Sequence, residues 1–250
     1  TQMMSKWSKE NNITILFGLL EKDEKDQLWN TFVCVQPNGA FHQYRKIHAF
    51  ENSLMSQGSE FPCFDIDGWK CGVLICFDNN LPENTRAYAL QGCEIMFAPH
   101  QTGAFDMNVA GMGRIDIKLW EDKEKYKGRL FEEFMGPKGR EWLLKWLPSR
   151  AYDNNMYHVF SNGVGLDYDE LRTGNAMIID PNGIVISESK SIDTDYAVAI
   201  LNKQARDKTL GGMHMLTRNP HLYKSLCVEQ KNKSDTRNAR NSLTESSKIV

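Results

Sequence analysis

Short runs of alternating or continuous apolar residues, separated by turn residues, dominate the chain and predict more strands than helices. Ile13-Thr-Ile-Leu-Phe17 reads as a buried strand ending at Gly18, and Glu21 to Gln27 as a charged loop. Trp29 to Gln36 and Ala40 to Lys46 flank Pro37-Asn38-Gly39, a hairpin whose Asn-Gly step supplies the positive φ angles a tight turn needs. Phe61 to Ile66 and Lys70 to Ile75 form a second hairpin around Asp67-Gly68, with Val73-Leu74-Ile75 as its buried end. A helix then follows. Pro82 suits its first turn, Asn80 is its candidate cap, Glu83 lies in the first turn, and Gly92 stops it. Cys93 to Ala98 is the next strand, ending at Pro99-His100. Strand, helix, strand in this order is a βαβ unit, so part of the sheet is expected to be parallel.

Residues 103 to 147 break the rhythm. They are Gly-rich, then charged and Trp-bearing, and read as an excursion with helices near Trp120–Lys127 and Gly139–Leu147. Ser149 to Asn154 completes a helix, and Tyr157 to Asn162 is a strand. Thr173 to Asp180 and Ile184 to Glu188 flank another Pro-Asn-Gly turn, and Tyr196 to Leu201 is the last expected strand. The two similar turns share local chemistry and do not make a repeat. The expected organisation is one domain over residues 1–226 and a polar tail over 227–250, rich in Ser, Asn and Lys.

Composition narrows the function classes. With 250 residues, 41% of them hydrophobic, the chain can bury a sizeable core. A net charge of −2 gives no electrostatic reason to expect nucleic acid or an anionic membrane as partner. No apolar run is long enough to span a bilayer and no signal-peptide pattern opens the chain. The six cysteines are scattered, without CxxC pairs or zinc-ligand spacing, which points to no metal, no disulfide framework and a cytoplasmic setting. Met3 to Asn11 reads as the back half of an amphipathic helix with no start signal. The expectation is therefore a chain that begins inside an element.

One cysteine stands out chemically. Cys76 lies where a strand runs toward a helix, a place where the helix dipole favours thiolate. Taken alone, it reads more simply as a buried structural cysteine. Lys46 and His48 end a hairpin strand upstream, Glu51 follows, and Gly58 lies beyond it.

These residues, with others in order, resemble the nitrilase (carbon–nitrogen hydrolase) superfamily from Ile13 to Tyr223. The matching pieces are Tyr44-Arg-Lys-x-His48, Gly72-Val-Leu-Ile-Cys76-Phe-Asp78, Pro82-Glu83-x-x-Arg86, Gly92-Cys-Glu-Ile and Ala98-Pro99. Further on come Arg150-Ala-Tyr-Asp-Asn154, Asn162-x-x-Gly165, Gly174, Ile179-Asp-Pro-x-Gly183 and Arg218-Asn-Pro-x-Leu-Tyr223. Each piece is weak alone; their order and spacing are specific.

The resemblance implies an α/β fold, a four-layer αββα sandwich that associates into a homodimer or higher homo-oligomer, with its first strand–helix–strand missing here. It implies no metal and no cofactor. It implies hydrolysis of non-peptide C–N bonds in small linear amides or N-carbamoyl compounds through a Cys–Glu–Lys triad. Cys76 would be the nucleophile, Lys46 the cation beside it, Phe77 a backbone oxyanion donor, and Glu51 the second glutamate of many members. Glu60, close to Glu51 in the loop, competes for that role. The triad's first glutamate precedes the Ile13 strand in the family, and Glu10, the only carboxylate there, lies on the wrong element. An N-terminally incomplete member is the expectation. Asn79 and Asn80 stand where N-carbamoyl-D-amino acid hydrolases carry arginines, which lowers that substrate class. Cys76-Phe77-Asp78 looks more like amidase and carbamoyl branches than true nitrilases, which remain an alternative. Ala176 replaces a serine frequent in the family. His100 is a pocket candidate from its strand end, with loop packing as the plainer reading; Arg172 and Asp106 are similar cases. Trp120, Trp142 and Trp146 read as core packing. The alternatives from other classes are a non-catalytic binding or scaffold protein on the same fold, and a cysteine acyltransferase, to which no apolar span points.

Overall fold

The computed structural model describes residues 1–105 and 113–239, so Asp106 and the end of the tail lie outside the described residues. The chain divides into two compact units, Thr1–His100 and Gln101–Val250.

The first unit opens with helix α1 (Gln2–Asn11), which ends where Asn12 turns into the left-handed region at φ 51°. Ser8 on its buried face donates to the carbonyl of Ile13 at 2.7 Å, fastening the helix to the strand that follows. That strand, β1 (Ile15–Lys22), runs through Gly18 instead of stopping there, because Gly18 keeps its place in the ladder opposite Phe32. Strands β2 (Leu28–Val35) and β3 (Phe41–Arg45) complete an antiparallel sheet in the order β1-β2-β3. The hairpin turn between β2 and β3 has Gly39 at φ 90°, and Asn38 Oδ1 accepts the Ala40 N–H at 2.9 Å.

Strands β4 (Phe64–Ile66) and β5 (Trp69–Val73) pair antiparallel around Asp67 and Gly68, both at positive φ as a tight primed turn requires. Leu74 and Ile75 are buried beyond the end of β5, and the Leu74 N–H still donates to Phe97 O at 3.0 Å. Next comes a 3-10 turn, Cys76–Asn80, and only then helix α2 (Pro82–Leu90). Cys76 opens the 3-10 turn that separates the strand from α2, and one expectation is corrected: the residue capping α2 is Leu81, not Asn80. Strand β6 (Ile95–His100) lies parallel to β5, so the expected βαβ unit is present. Gly72 on β5 lets the helix approach: a Cβ there would stand 2.6 Å from the Tyr88 ring.

The second unit carries helices α3 (Lys118–Glu121), α4 (Lys127–Met135), α5 (Arg140–Leu144) and α6 (Leu147–Tyr152). Leu130 and Phe134, one turn apart on α4, enter a core with Ala104, Ile115, Leu171 and Ile192, and Trp120 stacks on Phe134. Trp142 and Trp146 meet edge to face. Strand β7 (Tyr157–Asn162) coincides with its expected run, and the short hairpin β8 (Val164–Asp167) and β9 (Glu170–Thr173) follows. Strand β10 (Met177–Ile179) pairs antiparallel with β7 and with β11 (Val185–Glu188), across a turn whose Asp180 carboxylate accepts the N–H groups of Asn182 and Ile184. Tyr196–Leu201 forms no strand. Its alternating Tyr196, Val198 and Ile200 are exposed, and helix α7 (Leu210–Leu216) comes after it. Among the described residues, no helix is long and apolar enough to cross a membrane.

Candidate active site

Lys46 follows the last residue of β3, and its backbone is held from both sides. Its N–H donates to Asn30 O at 2.9 Å, and its carbonyl accepts the Gly58 N–H at 2.8 Å. Gly58 is a glycine for a steric reason, since a Cβ there would sit 2.1 Å from the Arg45 carbonyl oxygen. The Lys46 side chain is 1% exposed, so its ammonium needs a counter-charge. Glu51 supplies it in a direct ion pair. Glu51 is itself oriented: Oε1 also accepts Asn30 Nδ2 at 2.9 Å, and Oε2 accepts the Phe50 N–H at 3.0 Å. Of the two glutamates expected to compete in this loop, Glu51 is the partner of Lys46. The ammonium also lies 4.5 Å from the centroid of the Phe50 ring.

Cys76 has φ 50°, in the left-handed region, where a non-glycine residue is strained. Ile75 before it is extended, and Asp78 N–H donates back to Ile75 O at 3.1 Å. The backbone therefore reverses sharply at the cysteine, on a rigid platform of buried residues 73–75. Phe77 packs edge-on against Phe50, with ring centroids 5.7 Å apart, and tilts against His48 at 5.8 Å. The residue after Cys76 thus rests on the same ring that flanks the Lys46 ammonium.

Asp78 fastens the two segments together. Its side chain is fully buried and accepts from Tyr44 Oη at 2.6 Å, Ile47 N at 3.0 Å and His48 N at 2.8 Å, with His48 Nδ1 at 2.7 Å. Burial, with the Asp78 charge beside it, pushes the Tyr44 hydroxyl pKa far up, so Tyr44 stays a donor. Asn84 Nδ2 holds the Asp78 carbonyl at 2.8 Å, tying the turn to α2. Sequence reasoning gave Asp78 and Tyr44 no role. Their presence in the quoted motifs was the available signal; the hydrogen bonds joining them are not local in sequence.

Asn79 and His100, expected as separate pocket residues, lie together and buried, with Asn79 Nδ2 3.2 Å from His100 Nε2. Arg172 is engaged elsewhere: it pairs with Asp167 at 2.9 Å and Glu170 at 2.8 Å and lies over the Phe105 ring, which favours the packing reading. Among the described residues, no cluster of three or more His, Cys, Asp or Glu could hold a metal ion.

The family model for carbon–nitrogen hydrolases matches residues 1–207. A probable nitrilase of Schizosaccharomyces pombe is 28% identical over 197 residues, covering 77% of this chain and 59% of the relative. Omega-amidase NIT2-B of Xenopus laevis is 31% identical over 236 residues, covering 83% of this chain and 73% of the relative. The solved carbon–nitrogen hydrolase of Helicobacter pylori G27 superposes with a TM-score of 0.71 at 18% identity, covering 91% of this chain and 75% of that one. Several of the curated relatives are longer, and the chain spans about six tenths to two thirds of their length. The likeness to solved structures shows the α/β sandwich fold.

Proposed function

The chain belongs to the carbon–nitrogen hydrolase family, and we propose that the protein cleaves non-peptide C–N bonds of small linear amides or N-carbamoyl compounds through Cys76. The observation that carries this reading is the ion pair between the buried Lys46 ammonium and Glu51 at the surface, joined through Phe50 and Asp78 to the two residues that follow Cys76. A buried cation so placed stabilises negative charge developing nearby more strongly than one in water. In this reading the Cys76 sulfur attacks the substrate carbonyl carbon. The charge that gathers on the carbonyl oxygen is met by Lys46 and the Phe77 N–H. The C–N bond then breaks, the amine leaves as it takes up a proton, and a water molecule cleaves the thioester to release the acid. Glu51 holds the lysine in place, and Asn79 and His100 line the substrate side.

The second reading is a non-catalytic binding protein on the same fold, with the buried Asn79–His100 pair holding a ligand that is not turned over. No metal or organic cofactor enters the proposed chemistry, and a homodimer or larger homo-oligomer in the cytoplasm is part of the proposal. The test is ammonia or amine release from a panel of linear amides, N-carbamoyl amino acids and nitriles. It is run on the chain, on any upstream-extended form its gene supplies, and on Cys76→Ala. Turnover that Cys76→Ala abolishes supports the hydrolase, and the preferred panel member separates amidase from nitrilase. Tight ligand binding without turnover in every form supports the binding protein.

A further inference from the structure

Two further cysteines, Cys63 and Cys93, flank the Cys76 segment in sequence. Phe64 on β4 pairs with Cys71 on β5, so continuing the ladder by one residue sets Cys63 beside Gly72. Cys93 stands just ahead of β6, and its sulfur lies 3.2 Å from where a Cβ on Gly72 would be. The missing side chain at Gly72 therefore leaves the space over β5 that the Cys93 sulfur uses. Both cysteines are free, and Cys63 Sγ donates to Gln91 Oε1 at 3.8 Å, two residues before Cys93. Their access differs: Cys63 is half-buried, whereas Cys93 is buried and donates to Ile95 O at 3.2 Å.

We propose that Cys63 and Cys93 are a peroxide-sensitive dithiol that closes to a disulfide across β5. The Cys93 S–H, turned from Ile95 O to the ionised Cys63 sulfur, brings the Cys63 pKa down to about 7, with help from the Lys70 ammonium and against burial and the Asp65 carboxylate. The same hydrogen bond, together with burial, pushes the Cys93 thiol well up. An accessible thiolate beside a resolving thiol is the arrangement that oxidises reversibly. The Cys63 thiolate attacks hydrogen peroxide, the O–O bond breaks, and Cys63 becomes a sulfenic acid. The Cys93 sulfur then attacks the Cys63 sulfur, the S–O bond breaks, and water leaves with the Cys93 proton. Overall two thiols and one peroxide give one disulfide and two waters. The bridge encloses β4, β5, the Cys76 turn and α2, so it ties together both ends of the segment that carries Cys76.

The test uses the full chain carrying Cys76→Ala, so that the proposed nucleophile does not consume oxidant. It is treated with limiting hydrogen peroxide near pH 7, alkylated, digested and mapped by mass spectrometry. The expected result is a Cys63–Cys93 linked peptide, a loss of about 2 Da per chain reversed by dithiothreitol, and Cys63 consumed roughly tenfold faster than exposed Cys227. Adding Cys93→Ser is expected to leave a dimedone-reactive Cys63 and no loss of mass. In the Cys76→Ala chain itself, a Cys63 oxidised without the link, or left intact while other cysteines react, overturns the proposal.

Discussion

Asp78 and His48 are joined twice: the Asp78 carboxylate accepts the His48 backbone N–H at 2.8 Å and lies 2.7 Å from His48 Nδ1. One residue stands two places after Cys76 and the other two places after Lys46, so this contact fixes the spacing of the two segments that the proposed chemistry needs. Because the carboxylate is fully buried, removing it leaves several donors without a partner. Asp78→Ala is expected to lower unfolding stability by about 2–4 kcal/mol. Denaturant melts check this, and a loss under about 0.5 kcal/mol would show that the contact does not hold the segments.

Lys46 and Glu51 are predicted to be energetically coupled. Glu51→Ala strands a buried ammonium, whereas Lys46→Met removes that charge and keeps most of the apolar stem. The double variant is therefore expected to be more stable than the sum of the single changes by roughly 1–3 kcal/mol. Additive single-variant effects would mean the pair is a solvated contact.

The left-handed backbone at Cys76 gives a prediction independent of catalysis. At an ordinary helical position glycine is worse than alanine by roughly 0.5–1 kcal/mol. At φ 50° the order should reverse, with Cys76→Gly more stable than Cys76→Ala by about 1 kcal/mol. Thermal melts of the two variants decide it. Alanine the more stable would remove the strained turn from the account.

Much of this architecture was legible because it is written in local chemistry. The Asn38-Gly39, Asp67-Gly68 and Asn182-Gly183 turns needed only positive φ, and each lies between antiparallel strands. Pro82 and Gly92 likewise bounded α2. Misreadings came where partners decide. Tyr196–Leu201 alternates like a strand, yet alternation supplies no neighbour, and among the described residues the segment has no ladder. Strand β1 passes through Gly18 because pairing with β2 outweighs the weak propensity of glycine. Helix α4 was hidden because its buried stripe is only Leu130 and Phe134 in a charged stretch. Lys46, Glu51 and Cys76 were singled out through motif order, while the part Asp78 plays depends on contacts 30 or more residues apart.

His158 on β7 should give the fold an acid-sensitive slope. Burial, with Arg150 nearby, depresses its pKa to about 3, below the ordinary value of 6.5. The unfolded chain takes up a proton in that interval and the folded chain does not, so the contribution is present above pH 6.5 and is lost as pH falls toward 3. The loss is about 1.4 kcal/mol per pH unit within that window. Comparing wild type with His158→Leu by denaturant melts at several pH values should show a flatter profile for the variant. Parallel profiles would contradict the buried neutral imidazole.

The central claim, a nucleophilic Cys76 served by Lys46, is tested most directly by trapping the covalent intermediate. The protein is mixed with a reactive amide or ester, acid-quenched, and its intact mass and peptide map recorded beside those of Cys76→Ala and Lys46→Met. The account predicts one acyl adduct on Cys76, absent from Cys76→Ala and formed at least about 100-fold more slowly in Lys46→Met. An adduct on another residue, or one whose rate ignores Lys46, would contradict it.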